Sequence, residues 1–267
     1  MLEQSNTKYI AMLSGGQDST AMTLRLLELG EPVDYIVFSD TTLEFDEMYE
    51  YIDKLDSFFQ RQYRIAITRV KPNKDFTAFA TGLNTKGENI GKVRGTPRAG
   101  ELCHWRKEAK QYPIERWMKQ EGIIKNHIQY VGYVYGESER LLKAPNNIKS
   151  PLIDWKWTES EVQAYLKENM MENKLYQHFI RTGCSCCPKH RLEDSYMVYK
   201  HYPEKWEFMK NIEEQIRVKR LETKEAHFPA WHVKYFTHDM EKLFKQKDKQ
   251  GTFEFEFEEV QDCFCKI

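Results

Sequence analysis

Four short runs rich in β-branched and aromatic residues recur along the first half of the chain. They are Tyr9–Leu13, Val33–Ser39, Arg64–Val70 and Ile128–Val134. The segments between them carry apolar residues at helical spacing, for example Ala21, Leu24 and Leu27 after the first run. Strands that alternate with helices are typical of parallel βαβ units. The pattern predicts an α/β fold with a doubly wound, mainly parallel sheet.

Helix boundary signals indicate where several helices begin and end. Gly30 follows the first predicted helix and suits the C′ position, where glycine adopts positive φ at low cost. Thr158 and Glu161 form a capping box that opens a later helix. Pro203 opens another helix, and Trp206 lies on its apolar face together with Met209, Ile212 and Ile216. These signals predict a helical C-terminal region.

Two domains are expected, because alternating strands and helices in the first half of the chain give way to helices in the second half. Residues 1–155 are predicted to form the α/β domain, and residues 156–267 a helical, cysteine-containing region packed on it. Phenylalanine and glutamate alternate from Phe253 to Glu258, which is typical of a strand with one buried and one exposed face. From Thr81 to Gly100 the chain is rich in glycine, lysine, asparagine, proline and arginine. This composition predicts a mobile loop.

Residues 14–19 read Ser-Gly-Gly-Gln-Asp-Ser and stand between the first predicted strand and the first predicted helix. Two adjacent glycines allow positive φ and let backbone N–H groups form a concavity that an anion can approach. Ser14 and Ser19 add hydroxyl groups, and the positive end of the helix dipole lies at the same point. The pattern favours an anion-binding loop, and a tight connection without a ligand is the alternative.

The predicted fold brings other residues to this loop. In open parallel sheets, ligands bind beyond the carboxyl ends of the strands where the strand order reverses. This rule places three features in one crevice: the Ser14–Ser19 loop, Asp40 and Gly132. The predicted mobile loop would cover that crevice, and its basic residues either contact a phosphate or nucleic acid or form a solvated charged surface. They are Lys92, Arg94 and Arg98.

Composition narrows the class of protein. The chain has 267 residues, 40% of them hydrophobic and 30% charged, with a formal net charge of −1. No apolar stretch approaches the roughly 18 residues that cross a bilayer, so no membrane association is expected. The N-terminal residues lack a basic segment followed by an apolar one, which predicts a cytoplasmic location. A net charge close to zero argues against broad electrostatic capture of nucleic acid.

The six cysteines are clustered, at 103, at 184, 186 and 187, and at 263 and 265. A disulfide framework is not expected in a reducing compartment. Cys184 and Cys187 form a C-x-x-C pair between a glycine and a proline, a spacing that converges two thiolates on one metal. Three interpretations stay open: an iron–sulfur cluster, a zinc site that includes His190, or thiols that act in redox chemistry or are buried without a metal.

Several segments resemble those of one known family, in the same order along residues 8–205. The Ser14–Ser19 loop matches the SGGxDS signature of the PP-loop ATP pyrophosphatases, in the adenine-nucleotide α-hydrolase superfamily. Later segments resemble its PAPS reductase branch, although Val134 replaces an arginine and His104 replaces a second cysteine of that branch. These later segments are Ser39–Tyr49, Cys103–Lys107 with Pro113, Gly132–Arg140, Pro151–Trp155, Asn173–Tyr176 and Gly183–Pro188.

The resemblance implies a nucleotide site in which the loop holds the pyrophosphate part of ATP and the α–β bond is cleaved to leave an adenylate. The implied catalytic residues are Asp18, Asp40, Cys184 and Cys187. The implied nucleotide-binding residues are Ser14, Gly15, Gly16, Gln17, Asp18, Ser19, Asp40, Thr41, Gly132, Glu137 and Arg140. Magnesium would accompany ATP, held by Asp18 or Asp40 directly or through water. PAPS or APS is the alternative nucleotide.

The resemblance also implies a metal site. Its cysteine ligands would be Cys103, Cys184 and Cys187, with a fourth thiolate from Cys186, Cys263 or Cys265. A [4Fe-4S] cluster is the favoured group, and zinc is the less favoured alternative. His104 stands where the family has a second cysteine, so one family ligand is absent from this set.

Three functions are weighed from these features. The leading one is an ATP-dependent sulfurtransferase-like enzyme that forms AMP and pyrophosphate, with a thiolate or cluster sulfide of Cys103, Cys184 or Cys187 as the sulfur carrier. The second is a PAPS or APS reductase that releases sulfite, with Cys263 or Cys265 as nucleophile. The third is a non-catalytic nucleotide-sensing module. The acceptor is open, with tRNA and DNA among the candidates, and a second copy of the chain or a sulfur-donor protein are candidate partners.

Overall fold

A computed structural model describes residues 7–96, 103–225, 231–232 and 235–250. These residues form two compact units that are each made of two stretches of chain. The sheet unit comprises residues 7–72 and 109–182. The helical unit comprises the described residues between 73 and 108 and between 183 and 250.

The sheet unit contains one sheet of five parallel strands in the order β3-β2-β1-β4-β5. The strands are β1 Lys8–Leu13, β2 Tyr35–Ser39, β3 Ile67–Val70, β4 His127–Tyr130 and β5 Ile148–Lys149. Following the chain, β2 and β3 are added in turn on one side of β1. The next strands, β4 and β5, are added on the other side of β1. The point of reversal therefore lies between β1 and β4, where doubly wound sheets bind ligands.

Helices connect the strands and make up the helical unit. The α-helices are α1 Gln17–Glu28, α2 Asp46–Tyr63, α3 Phe76–Thr81, α4 His104–Arg106, α5 Tyr112–Gln120, α6 Ser138–Leu142, α7 Pro151–Asp154, α8 Glu159–Glu168, α9 Leu192–His201, α10 Pro203–Glu222 and α11 Thr237–Gln250. A π-helical turn at Lys107–Gln111 precedes α5, and 3-10 turns occur at Tyr135–Glu137 and Lys174–Gln177. Within the described ranges, no helix is both long enough and apolar enough to cross a membrane.

The predicted α/β fold with a mainly parallel sheet is confirmed. The four predicted strands correspond to β1–β4, with bounds that are shorter by several residues at β2, β3 and β4. The structure adds β5, which has only two residues and is therefore too short to give a periodic pattern. Helices in the C-terminal half agree with the predicted helical region.

The centre of the sheet is buried on both faces. Ile10 and Met12 of β1 belong to a core cluster with Ile114 and Trp117 of α5. Alternate residues of a strand point to opposite faces, and Ala11 is buried as well. Strands that are covered on both sides form continuous apolar runs, which is why β1 was recognisable from the sequence.

Local signals at two helix ends are confirmed. Gly30 has φ 68°, its N–H donates to the Leu27 carbonyl, and the Glu31 N–H donates to the Leu26 carbonyl. These two hydrogen bonds form the Schellman motif that ends α1. At α8 the Thr158 N–H donates to the Glu161 carboxylate at 2.9 Å, as the predicted capping box requires.

The compact units do not coincide with the two predicted domains, 1–155 and 156–267. Helix α8 packs against α1, so residues 156–182 group with the sheet unit. Helix α3 packs against α10, so residues from 73 onward group with C-terminal helices. The predicted boundary at residue 155 was based on the local composition of the sequence. The contacts that define the two units join segments that are distant in sequence.

The helical unit has its own aromatic core. The predicted apolar face of α10 is confirmed, because its four residues, Trp206, Met209, Ile212 and Ile216, are all buried. The Phe76 ring lies 5.2 Å from that of Trp105 and 5.9 Å from that of Trp231.

The segment predicted to be a mobile loop folds as a hairpin in its described part. Leu83 and Val93 form an antiparallel bridge. The Val93 N–H donates to Glu225 at 2.7 Å, and Arg220 donates to the Val93 carbonyl at 3.1 Å. Residues 97–100, which include Arg98, and the predicted strand Phe253–Glu258 lie outside the described residues.

Candidate functional site

The Ser14–Ser19 loop joins β1 to α1 in the sheet unit. Gly15 has φ 77°, and a Cβ built on it would lie 2.2 Å from the Met48 sulfur. Both observations require glycine at this position, because a side chain would be strained and would also clash. Gly16 is the N-cap residue of α1 and has extended backbone angles. The loop therefore turns sharply and leads directly into the positive end of α1.

Two serine hydroxyls define the shape of the loop. The Ser19 hydroxyl accepts the Ser14 N–H at 3.0 Å and donates to the Gly16 carbonyl at 3.1 Å. The Ser14 and Ser19 oxygens are 2.9 Å apart, and the Ser14 oxygen accepts the Gly16 N–H at 3.3 Å. Ser19 is buried, whereas Ser14 is exposed. The exposed Ser14 side chain thus lies beside the start of α1, and hydroxyl groups and helix N-termini are groups that bind phosphate.

A segment distant in sequence holds the loop from the other side. Asn173 donates from Nδ2 to the Gly15 carbonyl at 2.9 Å, and the Tyr176 hydroxyl accepts the Gln17 N–H at 3.0 Å. Tyr51 of α2 anchors the segment by donating to the Met171 carbonyl at 2.6 Å. Asn173–Tyr176 is one of the segments that resemble the PAPS reductase branch, but its residues are not among the predicted site residues.

Gly132, which follows β4, lies directly against the first turn of α1. A Cβ built on Gly132 would be 2.8 Å from the Asp18 carbonyl carbon and 2.8 Å from the Ser19 nitrogen. The loop and the end of β4 therefore meet where the strand order reverses. The other two residues named from this segment pair with each other: Arg140 and Glu137 form an ion pair at 2.8 Å. Their contact with a nucleotide stays a prediction.

Asp40 follows β2 and is held by two donors. The Thr42 N–H donates to Asp40 Oδ1 at 2.7 Å, and the Tyr49 hydroxyl donates to the same oxygen at 2.9 Å. Thr42 has φ 63°, so the turn places its N–H towards the carboxylate. Burial, followed by the hydrogen bond with Asp40, raises the pKa of Tyr49. The carboxylate orientation is thus set by its own turn and by α2.

Glu44 is a buried carboxyl group close to the loop, and it is not among the predicted site residues. Its Oε1 accepts the Thr41 hydroxyl at 2.6 Å. Burial raises the pKa of Glu44, while the charge of Lys110 opposes that rise. Glu44, Lys110 and Ser14 line one small cavity together with Ser39 and apolar residues of β1 and β2. The available signal was a charged residue between two apolar ones, Leu43 and Phe45.

The described cysteines lie in the helical unit. Cys187 donates its N–H to the Cys184 carbonyl at 3.0 Å, which forms the tight turn expected for the C-x-x-C pair. Cys186 is buried, and Cys103 and Cys184 are half-buried. His190 follows the turn, and burial lowers its pKa while the charge of Asp194 opposes that effect.

Some of the predicted metal ligands, Cys263 and Cys265, lie outside the described residues. Among the residues that the structure describes, no group of three or more histidine, cysteine, aspartate or glutamate side chains could hold a metal ion. The ligand set of Cys103, Cys184 and Cys187 therefore stays a prediction.

Part of the chain matches the sequence model of a known protein family. Residues 8–109, which contain β1, the loop and Asp40, match the model of the phosphoadenosine phosphosulfate reductase domain family. This stretch of the chain is therefore similar to a domain of the PAPS reductase-like branch of the PP-loop proteins.

Individual relatives extend the match beyond this domain. Two uncharacterized proteins of Methanocaldococcus jannaschii are 27% and 24% identical over 223 and 211 residues, which are 79% and 77% of this chain but 42% and 48% of theirs. Adenosine 5′-phosphosulfate reductase 2 of Bacillus subtilis is 28% identical over 163 residues, 57% of this chain and 61% of its own. The chain thus spans roughly half the length of the curated relatives it matches.

One of the solved structures that match this chain is a tRNA thiolase. It is the U34-tRNA thiolase NcsA from Methanococcus maripaludis with its [4Fe-4S] cluster, which is 16% identical to this chain. The match covers 90% of this chain and 81% of the thiolase at a TM-score of 0.40, a weak overall likeness.

Proposed function

We propose that this protein binds ATP at the Ser14–Ser19 loop and cleaves it between the α and β phosphates, forming an adenylate that is used in sulfur transfer. The observation that carries the proposal is the loop itself. Its glycine turn, two serine hydroxyls and helix N-terminus lie at the reversal of the strand order, beside Gly132. The loop has the complete SGGxDS spelling of the ATP pyrophosphatases.

In the proposed reaction, an oxygen of the acceptor forms a bond to the α phosphorus while the bond from that phosphorus to the bridging oxygen breaks. Pyrophosphate leaves with the electron pair. Donors fixed before the reaction stabilise this developing charge without reorganisation. The Gly16 N–H and the Ser14 hydroxyl would serve as these donors, while the buried Ser19 hydroxyl supports the loop through its hydrogen bonds with Ser14 and Gly16.

The transferred sulfur would be the outer sulfur of a persulfide that a sulfur-donor protein forms on Cys184, Cys187 or Cys103. This outer sulfur bonds to the acceptor carbon while AMP leaves with the electron pair of the carbon–oxygen bond. A second cysteine thiolate then attacks the inner sulfur, which releases the thiolated acceptor and leaves a disulfide for a thiol reductant to reduce.

Magnesium fits the acidic residues near the loop. It binds through one or two carboxylates together with phosphate oxygens and water. Asp18 in the first turn of α1 and Asp40 after β2 would hold it. The ion would neutralise charge on the pyrophosphate leaving group.

Reduction of a sulfonucleotide is the second candidate function. It is favoured by the similarity to adenosine 5′-phosphosulfate reductase 2 of Bacillus subtilis. In that case PAPS or APS would occupy the same loop. A cysteine thiolate would bond to the sulfonate sulfur while the nucleotide leaves with the electron pair of the sulfur–oxygen bond. A second thiolate would then attack the cysteine sulfur, which releases sulfite and forms a disulfide. Cys263 and Cys265 are the candidate nucleophiles.

The leading proposal indicates the chemical class of the acceptor and the kind of protein partner. A tRNA base or DNA would supply the oxygen that is adenylated, and a second copy of the chain or a sulfur-donor protein would supply further groups. We also retain the cytoplasm as the predicted location.

The product pattern tests the proposal. With ATP and magnesium we expect AMP and pyrophosphate, and we expect Ser14→Ala to abolish them. Ser57→Ala, on the exposed face of α2, is the matched control. ADP and phosphate as the only products would reject ATP pyrophosphatase chemistry. Sulfite release from PAPS or APS would favour the reductase, and nucleotide binding without turnover would favour a sensing module.

A further inference from the structure

Asn173 makes a direct contact with the backbone of the Ser14–Ser19 loop, from which it is separated by 158 positions in sequence. We call this loop the phosphate loop, after its proposed ligand. Its side chain is only 4% exposed. The amide nitrogen donates to the Gly15 carbonyl at 2.9 Å, while the amide oxygen accepts the Leu175 N–H at 3.0 Å. The two ends of the amide thus act on different segments, because the oxygen caps the turn at Lys174–Gln177 and the nitrogen holds the loop.

Holding the Gly15 carbonyl also orients the next N–H group. In a trans peptide the C=O and the following N–H point in opposite directions. The Gly15 carbonyl points to Asn173, so the Gly16 N–H points to the other side, where the Ser14 hydroxyl accepts it at 3.3 Å. That hydrogen bond is long for N–H···O, and an anionic oxygen forms a shorter and stronger one.

Glycine makes this orientation easy to lose. The peptide lies between two glycines, and Gly15 already has φ 77°. Without a Cβ on either side, rotation of the peptide plane meets little steric resistance. An unheld peptide could turn its carbonyl towards the ligand and repel a phosphate. The loop therefore needs an outside contact that selects one orientation.

We propose that Asn173 is a positioning residue of the phosphate loop: by donating to the Gly15 carbonyl, it keeps the Gly16 N–H directed at the bound phosphate. This inference rests on the proposed nucleotide site. Tyr176 acts on the adjacent group, because its hydroxyl accepts the Gln17 N–H at 3.0 Å. The segment from Asn173 to Tyr176 thereby sets two successive N–H groups at the start of α1.

The chain offers closely matched variants for a test. Asn173→Asp keeps an oxygen to accept the Leu175 N–H but removes the donor to Gly15. Asn173→Leu removes the donor without adding charge. Asn169→Asp is the control, because Asn169 also donates from Nδ2 to a backbone carbonyl, that of Tyr165, at 2.9 Å. The control makes the same change of charge four residues away.

The probe is inorganic pyrophosphate, with binding measured by calorimetry at low and high salt and the Gly16 amide followed by NMR. We expect pyrophosphate to shift the Gly16 amide resonance in the wild type. We expect Asn173→Asp and Asn173→Leu to weaken binding about tenfold at both salt concentrations, the scale of one lost hydrogen bond to a charged group. Asn169→Asp should bind as the wild type does.

Several results would overturn the inference. Unchanged pyrophosphate binding by both Asn173 variants would do so, as would weakening confined to Asn173→Asp at low salt, since charge alone would explain it. Pyrophosphate binding by the wild type without a shift of the Gly16 amide would also overturn it, whether or not the variants fold. Absence of pyrophosphate and ATP binding by the wild type would overturn the proposed function together with this inference.

Discussion

The Tyr49 hydroxyl donates a hydrogen bond of 2.9 Å to the Asp40 carboxylate. Tyr49 lies in the first turn of α2, and Asp40 lies at the end of β2, so the contact ties the helix to the carboxyl edge of the sheet. Burial and the neighbouring carboxylate raise the pKa of Tyr49, and the hydroxyl therefore keeps its proton at neutral pH. It serves as a permanent donor that limits the rotation of Asp40.

Tyr49→Phe removes this donor while preserving the ring. If Asp40 takes part in the reaction, we expect AMP formation to fall about tenfold, the scale of a lost hydrogen bond to a charged group. Steady-state assays with ATP and magnesium measure the effect. Tyr112→Phe is the control, because Tyr112 is 45% exposed on α5. Equal rates for the two variants would remove Tyr49 from the site.

Gly132→Ala tests the close approach of β4 to α1. The new Cβ would lie 2.8 Å from backbone atoms of Asp18 and Ser19, which cannot move without displacing the loop. We expect a loss of about 1–3 kcal/mol in the free energy of unfolding and weaker pyrophosphate binding. Denaturant titration and calorimetry measure these. Gly136→Ala should change neither quantity, since a Cβ at position 136 would have no neighbouring atom within 4 Å.

Gly15→Ala and Gly30→Ala separate backbone strain from steric clash. Both glycines have positive φ, 77° and 68°, and alanine at either is expected to cost about 1–2 kcal/mol. Only at Gly15 would the added Cβ also contact another side chain, that of Met48, whereas nothing lies within 4 Å at Gly30. Thermal unfolding should therefore rank Gly15→Ala as clearly more destabilising. Equal losses would contradict the packing of Met48 on the loop.

Glu44→Gln tests the consequence of a buried carboxyl group. The pKa of Glu44 is raised in the folded protein by burial, so the folded state binds its proton more tightly than the unfolded state does. Its contribution to stability is present below the unfolded pKa, about 4.3, and is lost as pH rises through the higher folded pKa.

Glutamine at position 44 stays neutral at every pH. We therefore expect Glu44→Gln to gain stability relative to the wild type as pH rises from 5 to 8, measured by denaturant unfolding. Glu50→Gln, on the exposed side of α2, should follow the wild type across this range. A gap between Glu44→Gln and the wild type that does not widen with pH would argue against the buried, titrating carboxyl group.

Much of the fold was predictable because it depends on local patterns. The apolar run of β1 and the glycine at position 30 were identified from neighbouring residues, and both are confirmed. Strand β5 was missed because a two-residue strand has no periodicity. The grouping of residues 156–182 with the sheet was missed because α8 and α1 are distant in sequence.

The sequence by itself determined the chemistry of the Ser14–Ser19 loop, since residues 14–19 contain the glycines, hydroxyls and helix start that are typical of an anion-binding loop. Only the tertiary structure decided what holds that chemistry in place. Asn173 reaches Gly15, Tyr49 reaches Asp40, and Glu44 is enclosed beside Ser14. The physical reason is that hydrogen bonding and burial depend on distance in space, and a linear pattern carries that information only for residues within a few positions of each other.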